Sequence, residues 1–171
     1  MKLSTGNITL RALEPEDLDF VYSIENDETM WDVSSVNVPY SRMCLQNYIL
    51  TNSSDIYADK QLRLVVENTV KQPVGLLDLV NFDPRHSRAE VGIAIHQEFR
   101  HKGYAEEALR ILINYSRDLL HMHQLYAIIP DDNNVSMHLF KICGFKKIAV
   151  FDDWLATPHG FAKAVFLQMI L

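Results

Sequence analysis

The sequence predicts a mixed α/β (α+β) domain with a single mixed, mostly antiparallel central sheet of about seven strands, flanked by about four helices. Three observations lead to this class. Short strands separated by turn residues fill residues 61–96, which is typical of an antiparallel meander. An amphipathic helix then lies between two apolar strands, which predicts a parallel pair. The whole order reads β-α-α-β-β-β-α-β-α-β-β without a repeat or linker, so residues 1–171 are expected to form one domain.

The N-terminal part is predicted to hold one strand, at residues 8–13, and two helices. Acidic residues and a proline at residues 14–17 are typical of a first helical turn. The second helix is expected after residues 39–41. The apolar positions of these helices are Leu18, Val21, Tyr22 and Ile24 in the first and Leu45, Tyr48 and Ile49 in the second.

The three central strands are predicted at residues 61–68, 74–81 and 88–96. Alternation places Leu62, Leu64 and Val66 on one face of the first of them. Turn residues separate the strands, so neighbouring strands are expected to pair antiparallel.

The C-terminal part is predicted to hold a long helix, a strand, a second helix and two closing strands. The long helix has an apolar stripe at 3.6-residue spacing, formed by Ala105, Ala108, Leu109, Leu112, Tyr115, Ser116 and Leu119. Gly144 is the expected C-cap of the second helix. The remaining predicted elements are a strand at residues 125–129, the second helix at 133–143, and the closing strands at 145–151 and 162–171.

Composition and charge exclude several classes of protein. Sixteen basic and 22 acidic residues give a net charge of -6, which argues against nucleic-acid binding. No apolar run approaches the roughly 20 residues needed to cross a membrane, and the N-terminus lacks the apolar core of a secretion signal. Cys44 and Cys143 are therefore expected to be free thiols of a cytoplasmic protein.

Residues 100–105, Arg-His-Lys-Gly-Tyr-Ala, join a predicted strand to the long helix. Backbone amides at a helix N-terminus are unpaired donors, and the helix dipole adds partial positive charge. Gly103 permits a backbone shape or a close approach that a side chain forbids. This step therefore predicts a phosphate-binding loop.

The strand before this loop is predicted to have one nearly bare face. Glu90, Gly92 and Ala94 share that face, whereas Val91 and its alternate neighbours point to the core. Small residues suit the close approach of an extended ligand. The alternative is a strand whose small residues make room for a helix packed on it.

Three segments in order resemble the GNAT N-acetyltransferase superfamily, and within it the spermidine and ribosomal-protein N-acetyltransferases. Residues 88–95 resemble the strand that holds the pantetheine arm, and residues 100–105 resemble the pyrophosphate loop. Asn133, Ser136, Phe140, Gly144 and Phe145 match the motif after the fifth strand. The resemblance covers almost the whole chain, from residue 8 to the last strand.

The resemblance implies the GNAT fold, acetyl-CoA as co-substrate and acetyl transfer to an amine. It implies backbone contacts from the strand to pantetheine and from the loop to the pyrophosphate. The cofactor-binding residues implied in this way are Ile93, Ala94, Ile95, Arg100, His101, Lys102, Gly103, Tyr104, Ala105, Glu106, Asn133 and Ser136.

Glu90 is the candidate acid–base residue. An amine arrives as an ammonium, with a pKa of about 10, and must lose a proton before it attacks a thioester. A carboxylate can take that proton through a water, or hold the ammonium in place. The alternative is a structural ion pair with Arg85 or Arg88. Asp78, on the neighbouring strand, is a second candidate for the same cleft.

Phe140 departs from the family pattern, which has a tyrosine at this position. The family tyrosine is expected to protonate the departing CoA thiolate, and phenylalanine has no proton to give. A thiolate with a pKa near 8.5 is already a tolerable leaving group. Catalysis is therefore still expected, either slower or with another general acid.

The acceptor amine is expected to meet Glu28 and Trp31, because carboxylates and an indole face suit an alkylammonium. The alternative is a solvated helix end anchored by one tryptophan. No metal site is predicted. His121 and His123 lack the three or four convergent ligands of a zinc site.

The sequence thus predicts an acetyl-CoA-dependent N-acetyltransferase acting by direct attack of the amine, without an acyl-enzyme. A polyamine or diamine is the first choice of acceptor and a protein N-terminus is the second. The alternative is a non-catalytic acyl-CoA-binding module, which Phe140 favours. A nucleotide-binding protein is disfavoured, because the sequence contains neither Gly-x-x-x-x-Gly-Lys-Ser/Thr nor Gly-x-Gly-x-x-Gly. The expected partners are a small amine or a peptide N-terminus and further copies of the same chain.

Overall fold

A computed structural model describes residues 3–27, 38–53, 55–157 and 159–171 of the chain. Its strands form one open seven-stranded sheet in the order β1-β2-β3-β4-β5-β7-β6. Only β4 and β5 pair in parallel, and the other neighbouring strands are antiparallel. The strands are β1 (Ile8–Ala12), β2 (Leu62–Asn68), β3 (Pro73–Asp83), β4 (Arg88–Ile95), β5 (Gln124–Pro130), β6 (Lys146–Thr157) and β7 (Gly160–Ile170).

Five α-helices flank this sheet in the described part of the chain, so the prediction of about four missed one. The helix that was missed, α3, has four residues and is capped by the Asp55 side chain, which accepts from the Tyr57 and Ala58 amides. Four residues make barely one turn, so no 3.6-residue period could reveal it. The helices are α1 (Leu18–Glu25), α2 (Arg42–Thr51), α3 (Ile56–Asp59), α4 (Tyr104–Asp118) and α5 (Asn134–Ile142).

The predicted order of strands along the chain, the antiparallel meander and the parallel pair are confirmed, but β6 is longer than predicted. It continues to Thr157, past the end expected at residue 151, and forms a long hairpin with β7. Asp152 and Asp153 interrupt the apolar alternation, and the pairing register shifts between Phe151 and Leu155. An irregular strand of this kind loses the period of two that marks strands in a sequence.

The sheet is covered on two faces by different helices. On one face α4 and α5 contribute Leu109, Leu112 and Phe140 to a core that includes Leu77 and Leu79. On the opposite face, α1 and α2 contribute Val21, Ile24 and Leu45, which pack on Val65 and Leu76. We call this second side the α1/α2 face. Because successive residues of a strand point to opposite sides, Ala94 lies on the α1/α2 face and Ile93 on the other.

Helix α4 buries the predicted stripe except at its end. Ala108, Leu109, Leu112 and Ser116 are buried as expected. Leu119 is 59% exposed, so its predicted burial is wrong. The helix ends at Asp118, so Leu119 no longer follows the stripe. No helix in the described ranges is long and apolar enough to span a membrane.

Candidate active site

Strands β4 and β5 pair over only three residues and then separate, which leaves a gap between them. Arg88, Ala89 and Glu90 pair with Gln124, Leu125 and Tyr126, and the register then stops. From Val91 to Ile95 β4 stays paired with β3 on its other side. The strand therefore presents unpaired backbone groups to the gap, and an extended ligand with amide groups can complete the ladder there.

The α1/α2 face of β4 is bare at the same place. Gly92 lies between Glu90 and Ala94, and a Cβ added to it would meet only the Cβ of Asp78, at 3.7 Å. Asp78 is its direct partner on β3. The space above Gly92 is thus open, with Glu90 on the same strand and Asp78 beside it.

The loop that follows β4 ends at the N-terminus of α4. His101 and Gly103 both have positive φ, at 62° and 80°, and Gly103 is the N-cap of the helix. His101, Lys102 and Gly103 are exposed. The first amides of α4, beginning at Tyr104, have no acceptor within the helix. The predicted phosphate-binding geometry, a left-handed turn into a helix N-terminus, is therefore present.

Two basic side chains of this loop contact residues that lie a few positions before them in the chain. The Arg100 Nε donates to the Ile95 carbonyl at 3.0 Å, and the Lys102 Nζ lies 5.1 Å from the centre of the Phe99 ring. The acids of the first helical turn point elsewhere, since Glu106 pairs with Arg110 at 2.9 Å and Glu107 accepts from Thr5 at 2.7 Å. Two side-chain cations therefore flank the free amides, while the nearby carboxylates have partners of their own.

Asn133 and Ser136 lie at the start of α5, across the gap from β4. Asn133 is the N-cap, and its Oδ1 accepts from the Ser136 amide at 3.1 Å. The Asn133 side chain thus stabilises the helix, and its Nδ2 is the group left for a ligand.

Phe140 is buried, with 3% of its surface exposed, and meets Phe145 edge to face with ring centres 4.9 Å apart. The side chain is part of the core between α5 and the sheet. This position therefore carries a buried apolar ring and no hydroxyl.

Glu90 has a neutral partner rather than a cation. Its Oε2 accepts from Asn81 Nδ2 at 2.9 Å. The structural alternative, an ion pair with Arg85 or Arg88, is not formed among the described residues, and Arg88 instead contacts Asp83 at 3.4 Å. Sequence reasoning missed Asn81, which reaches Glu90 only through the pairing of β3 with β4.

Asp78 is held by a cation that sequence reasoning also missed. Arg63 Nε and Nη2 donate to its two carboxylate oxygens, each at 2.8 Å. The same guanidinium bonds Glu25 at the end of α1 and lies 5.7 Å from the Tyr48 ring centre. Burial alone lowers the pKa of Arg63, but the carboxylates of Asp78 and Glu25 raise it above its ordinary value. Asp78 therefore already has a cationic partner, which it shares with Glu25.

The predicted acceptor residues Glu28 and Trp31 lie outside the described residues. In the ranges that are described, no group of three or more histidine, cysteine or acidic side chains could hold a metal ion.

The family model of the "Acetyltransferase (GNAT) domain" matches residues 7–146. Spermidine N(1)-acetyltransferase from Vibrio cholerae is 30% identical over 140 residues, which are 82% of this chain and 79% of that protein. The Escherichia coli K12 spermidine N(1)-acetyltransferase is 29% identical over 149 residues, covering 83% and 74% of the two chains. The crystal structure of the V. cholerae enzyme in complex with CoA and spermine superposes with a TM-score of 0.86 at 27% identity, covering 97% and 96%.

The sheet opens between β4 and β5, beside the N-terminus of α4. The fold is shared with the V. cholerae enzyme in its complex with CoA. Together these features define the class of acyl-CoA N-acyltransferases. The predicted co-substrate, acetyl-CoA, and the predicted fold are confirmed. The chain belongs to the GNAT acetyltransferase family.

Proposed function

We propose that this chain transfers the acetyl group of acetyl-CoA to a primary amine of the polyamine class. The observation that carries the proposal is the position of Glu90, at the last pair of the β4–β5 ladder and next to the open gap. Relatives named as spermidine N(1)-acetyltransferases support this choice of acceptor.

The cofactor half of the site would use backbone groups. Ile93 and Ile95 would pair with the pantetheine amides along the gap, and the small Ala94 between them would leave room for the ligand. The amides of residues 100–106 would receive the pyrophosphate. The Asn133 Nδ2 is available across the gap. Bound acetyl-CoA supplies an acetyl thioester, which an amine can attack directly. Backbone donors along β4 are suited to polarise its carbonyl.

The acceptor half would use Glu90 rather than Asp78. Asp78 already has a cationic partner in Arg63, whereas the partner of Glu90 is the neutral Asn81 amide. An ammonium therefore gains more by approaching Glu90. The carboxylate can hold the ammonium and accept its proton through a water, which leaves a neutral amine to attack. Asp78, with Glu28 and Trp31, remains a predicted outer contact of the acceptor.

A protein N-terminus is the second acceptor to test. The putative ribosomal N-acetyltransferase YdaF of Bacillus subtilis is 25% identical over 171 residues, covering 96% of this chain and 91% of that one. The name of that relative suggests a protein α-amino group as the acceptor. A half-buried Glu90 without a cationic partner could bind an α-ammonium as well as the ammonium of a polyamine. Only the choice of acceptor distinguishes the two activities.

We also propose that the chain assembles with copies of itself. Strand β6 is at the edge of the sheet, and the hairpin β6–β7 exposes large apolar side chains. A spermidine N-acetyltransferase from V. cholerae is described as dodecameric. Light scattering of the purified chain tests the proposal, and a monomer at all concentrations would contradict it. The exposed apolar side chains are Ile148, Val150, Trp154, Phe161 and Ile170.

We propose a cytoplasmic location because both cysteines are free thiols. Cys44 is exposed, Cys143 is buried, and both are free. Free thiols are typical of a reducing compartment. Fractionation of cells that express the chain tests the location.

The experiment for the proposed function is a thiol-release screen with acetyl-CoA against polyamines, amino acids and N-terminal peptides. The expected result is turnover with polyamines that Glu90→Gln reduces, while exposed Glu16→Gln, far along the chain from the site, leaves it unchanged. Tight CoA binding without turnover on any amine would instead favour the acyl-CoA-binding module.

A further inference from the structure

Strand β3 contains a bulge directly opposite Glu90. Val80 pairs with Glu90 and Asp83 with Arg88, so β3 carries one more residue than β4 between these pairs. Asn81, inside the bulge, has a φ of 51°, in the left-handed region that asparagine enters more readily than most residues. Bulges redirect side chains and occur beside active sites. Here the bulge directs the Asn81 amide onto the Glu90 carboxylate, at 2.9 Å.

Tyr126 is the partner of Glu90 on the other side. The two residues are the last pair of the parallel ladder, and paired residues point to the same face. The phenol ring is half-buried and stacks on Phe166, with ring centres 5.3 Å apart and planes 21° apart. The ring is thus fixed at the mouth of the gap, where its hydroxyl lies within the field of Glu90.

The surroundings of Tyr126 keep its hydroxyl protonated. Burial raises the pKa of Tyr126, and the negative charge of Glu90 raises it further, while a hydrogen bond with Asn81 opposes the shift. Arg88 and Asp83 also act on the phenol, with opposite signs. Asn81 therefore contacts both the Glu90 carboxylate and the Tyr126 phenol.

We propose that Asn81 and Tyr126 are positioning residues that hold Glu90 for the acceptor amine. This inference rests on the proposed function, in which Glu90 receives the acceptor. The Asn81 amide orients one carboxylate oxygen, and Tyr126, which is bonded to Asn81 and paired with Glu90 in the ladder, holds that amide in place. The chain, which lacks a hydroxyl at Phe140, thus carries one on β5 next to its proposed base.

The proton balance of this arrangement is simple. The ammonium N–H bond breaks, its proton passes to the Glu90 carboxylate through a water, and the nitrogen keeps the electron pair for its attack. Glu90 later releases the proton to solvent. Asn81 and Tyr126 neither gain nor lose a proton, so each can be replaced without removing a reacting group.

The kinetic test uses variants that remove only the two polar groups. Tyr126→Phe keeps the ring on Phe166, and Asn81→Gly keeps the left-handed backbone. Asn81→Gly is expected to lower kcat/KM for the amine by about tenfold, the effect of one hydrogen bond to a charged group. Tyr126→Phe removes a hydrogen bond to the neutral Asn81 amide and is expected to lower kcat/KM by about threefold. Both variants should leave the KM for acetyl-CoA unchanged. The matched controls are Tyr115→Phe, a half-buried tyrosine on α4, and His121→Gly, which has a φ of 50°. Variants indistinguishable from these controls would overturn the inference.

A second measurement does not need activity. In protein labelled with ¹³C at the tyrosine ring, the Tyr126 resonance is identified by its loss in Tyr126→Phe and followed against pH. Glu90→Gln is expected to lower the pKa of Tyr126, and exposed Glu16→Gln is expected to leave it unchanged. An unchanged Tyr126 titration in Glu90→Gln overturns the inference, whether or not the protein acetylates amines. A wild-type protein that acetylates no amine contradicts the proposed function instead.

Discussion

Arg63 donates two hydrogen bonds of 2.8 Å to the carboxylate of Asp78, directly beside the open space above Gly92. The guanidinium also joins Glu25 of α1, so one cation links β2, β3 and the end of the first helix. Both side chains of the pair are mostly buried. The result is an ion-paired wall on one side of the gap, in which one cation serves two carboxylates, and an acidic group without a cationic partner, Glu90, at the mouth of the gap.

Removal of one partner from this wall should be strongly destabilising. Arg63→Met leaves Asp78 and Glu25 without their cation, and an unbalanced buried charge costs about 3 kcal/mol. Urea unfolding measures the loss. The double variant Arg63→Met/Asp78→Leu is expected to recover part of it, because it leaves one fewer carboxylate uncompensated. A double variant as unstable as the sum of the single ones would show that the two side chains do not interact.

Asp17 should make stability depend on pH. Burial alone raises the pKa of this carboxyl, but hydrogen bonds from Arg11 and the Glu14 amide outweigh it and hold the pKa below its ordinary value. Arg11 bonds both carboxylate oxygens, at 2.7 and 2.9 Å. A lowered folded-state pKa stabilises the protein above the unfolded value of about 3.9, and the contribution is lost as the pH falls through the folded-state value.

Asp17→Asn is therefore expected to reduce the free energy of unfolding by about 1–3 kcal/mol at pH 7 and by progressively less below pH ~4. Denaturant unfolding at several pH values measures the difference. Asp19→Asn, with its side chain 82% exposed, is the control and should change stability by less than about 0.5 kcal/mol. A difference for Asp17→Asn that stays constant down to pH 2.5 would contradict the assignment.

Gly103→Ala should weaken binding of CoA. The residue has a φ of 80° and nothing within 4 Å of an added Cβ, so the strain is in the backbone alone. Relief of that strain rotates the amides at the start of α4, which the account assigns to the pyrophosphate. The control is Gly160→Ala, with a φ of 126° and equally open space in the β6–β7 hairpin.

Calorimetry with CoA measures the difference between the two glycine variants. Both should lose about 1 kcal/mol of stability, but only Gly103→Ala should raise the Kd for CoA. Equal Kd values in the two variants would place the pyrophosphate elsewhere.

Phe140→Tyr is expected to keep or raise the acetyl-transfer rate. The new hydroxyl would stand at the family position from which a proton can reach the leaving thiolate. The ring now packs edge to face on Phe145 in a buried site, so some loss of stability accompanies the change. Steady-state kinetics with a parallel measurement of CoA affinity test it. A large fall in rate with CoA affinity intact contradicts this expectation.

The sequence was sufficient for the order of strands along the chain, the parallel pair and the loop at Gly103, because each has a local signal. Alternation of apolar residues marks a strand, and a glycine before an amphipathic stripe marks a helix start. The role of Glu90 stays a prediction, which the sequence suggested because the residue lies within a motif-bearing strand. These features depend on residues close together in the chain.

Arg63, Asn81 and Tyr126 could not be identified in this way. Arg63 meets Asp78 and Tyr126 meets Glu90 only because of the register between strands, which no local pattern encodes. The bulge at Asn81 shifts that register by one residue and left no signal beyond an ordinary asparagine. The extension of β6 was missed for the related reason that its bulges disrupt the period of two.

The most direct test of the central claim is a mass-spectrometric measurement of acetylated spermidine formed from acetyl-CoA by the wild-type chain and by Glu90→Gln. The account predicts a product with one added acetyl group from the wild type, and at least about a hundredfold slower formation by Glu90→Gln at equal CoA affinity. Equal rates in the two proteins would contradict the role of Glu90. No acetylated product from the wild type, with spermidine or any other polyamine, would contradict the proposed function itself.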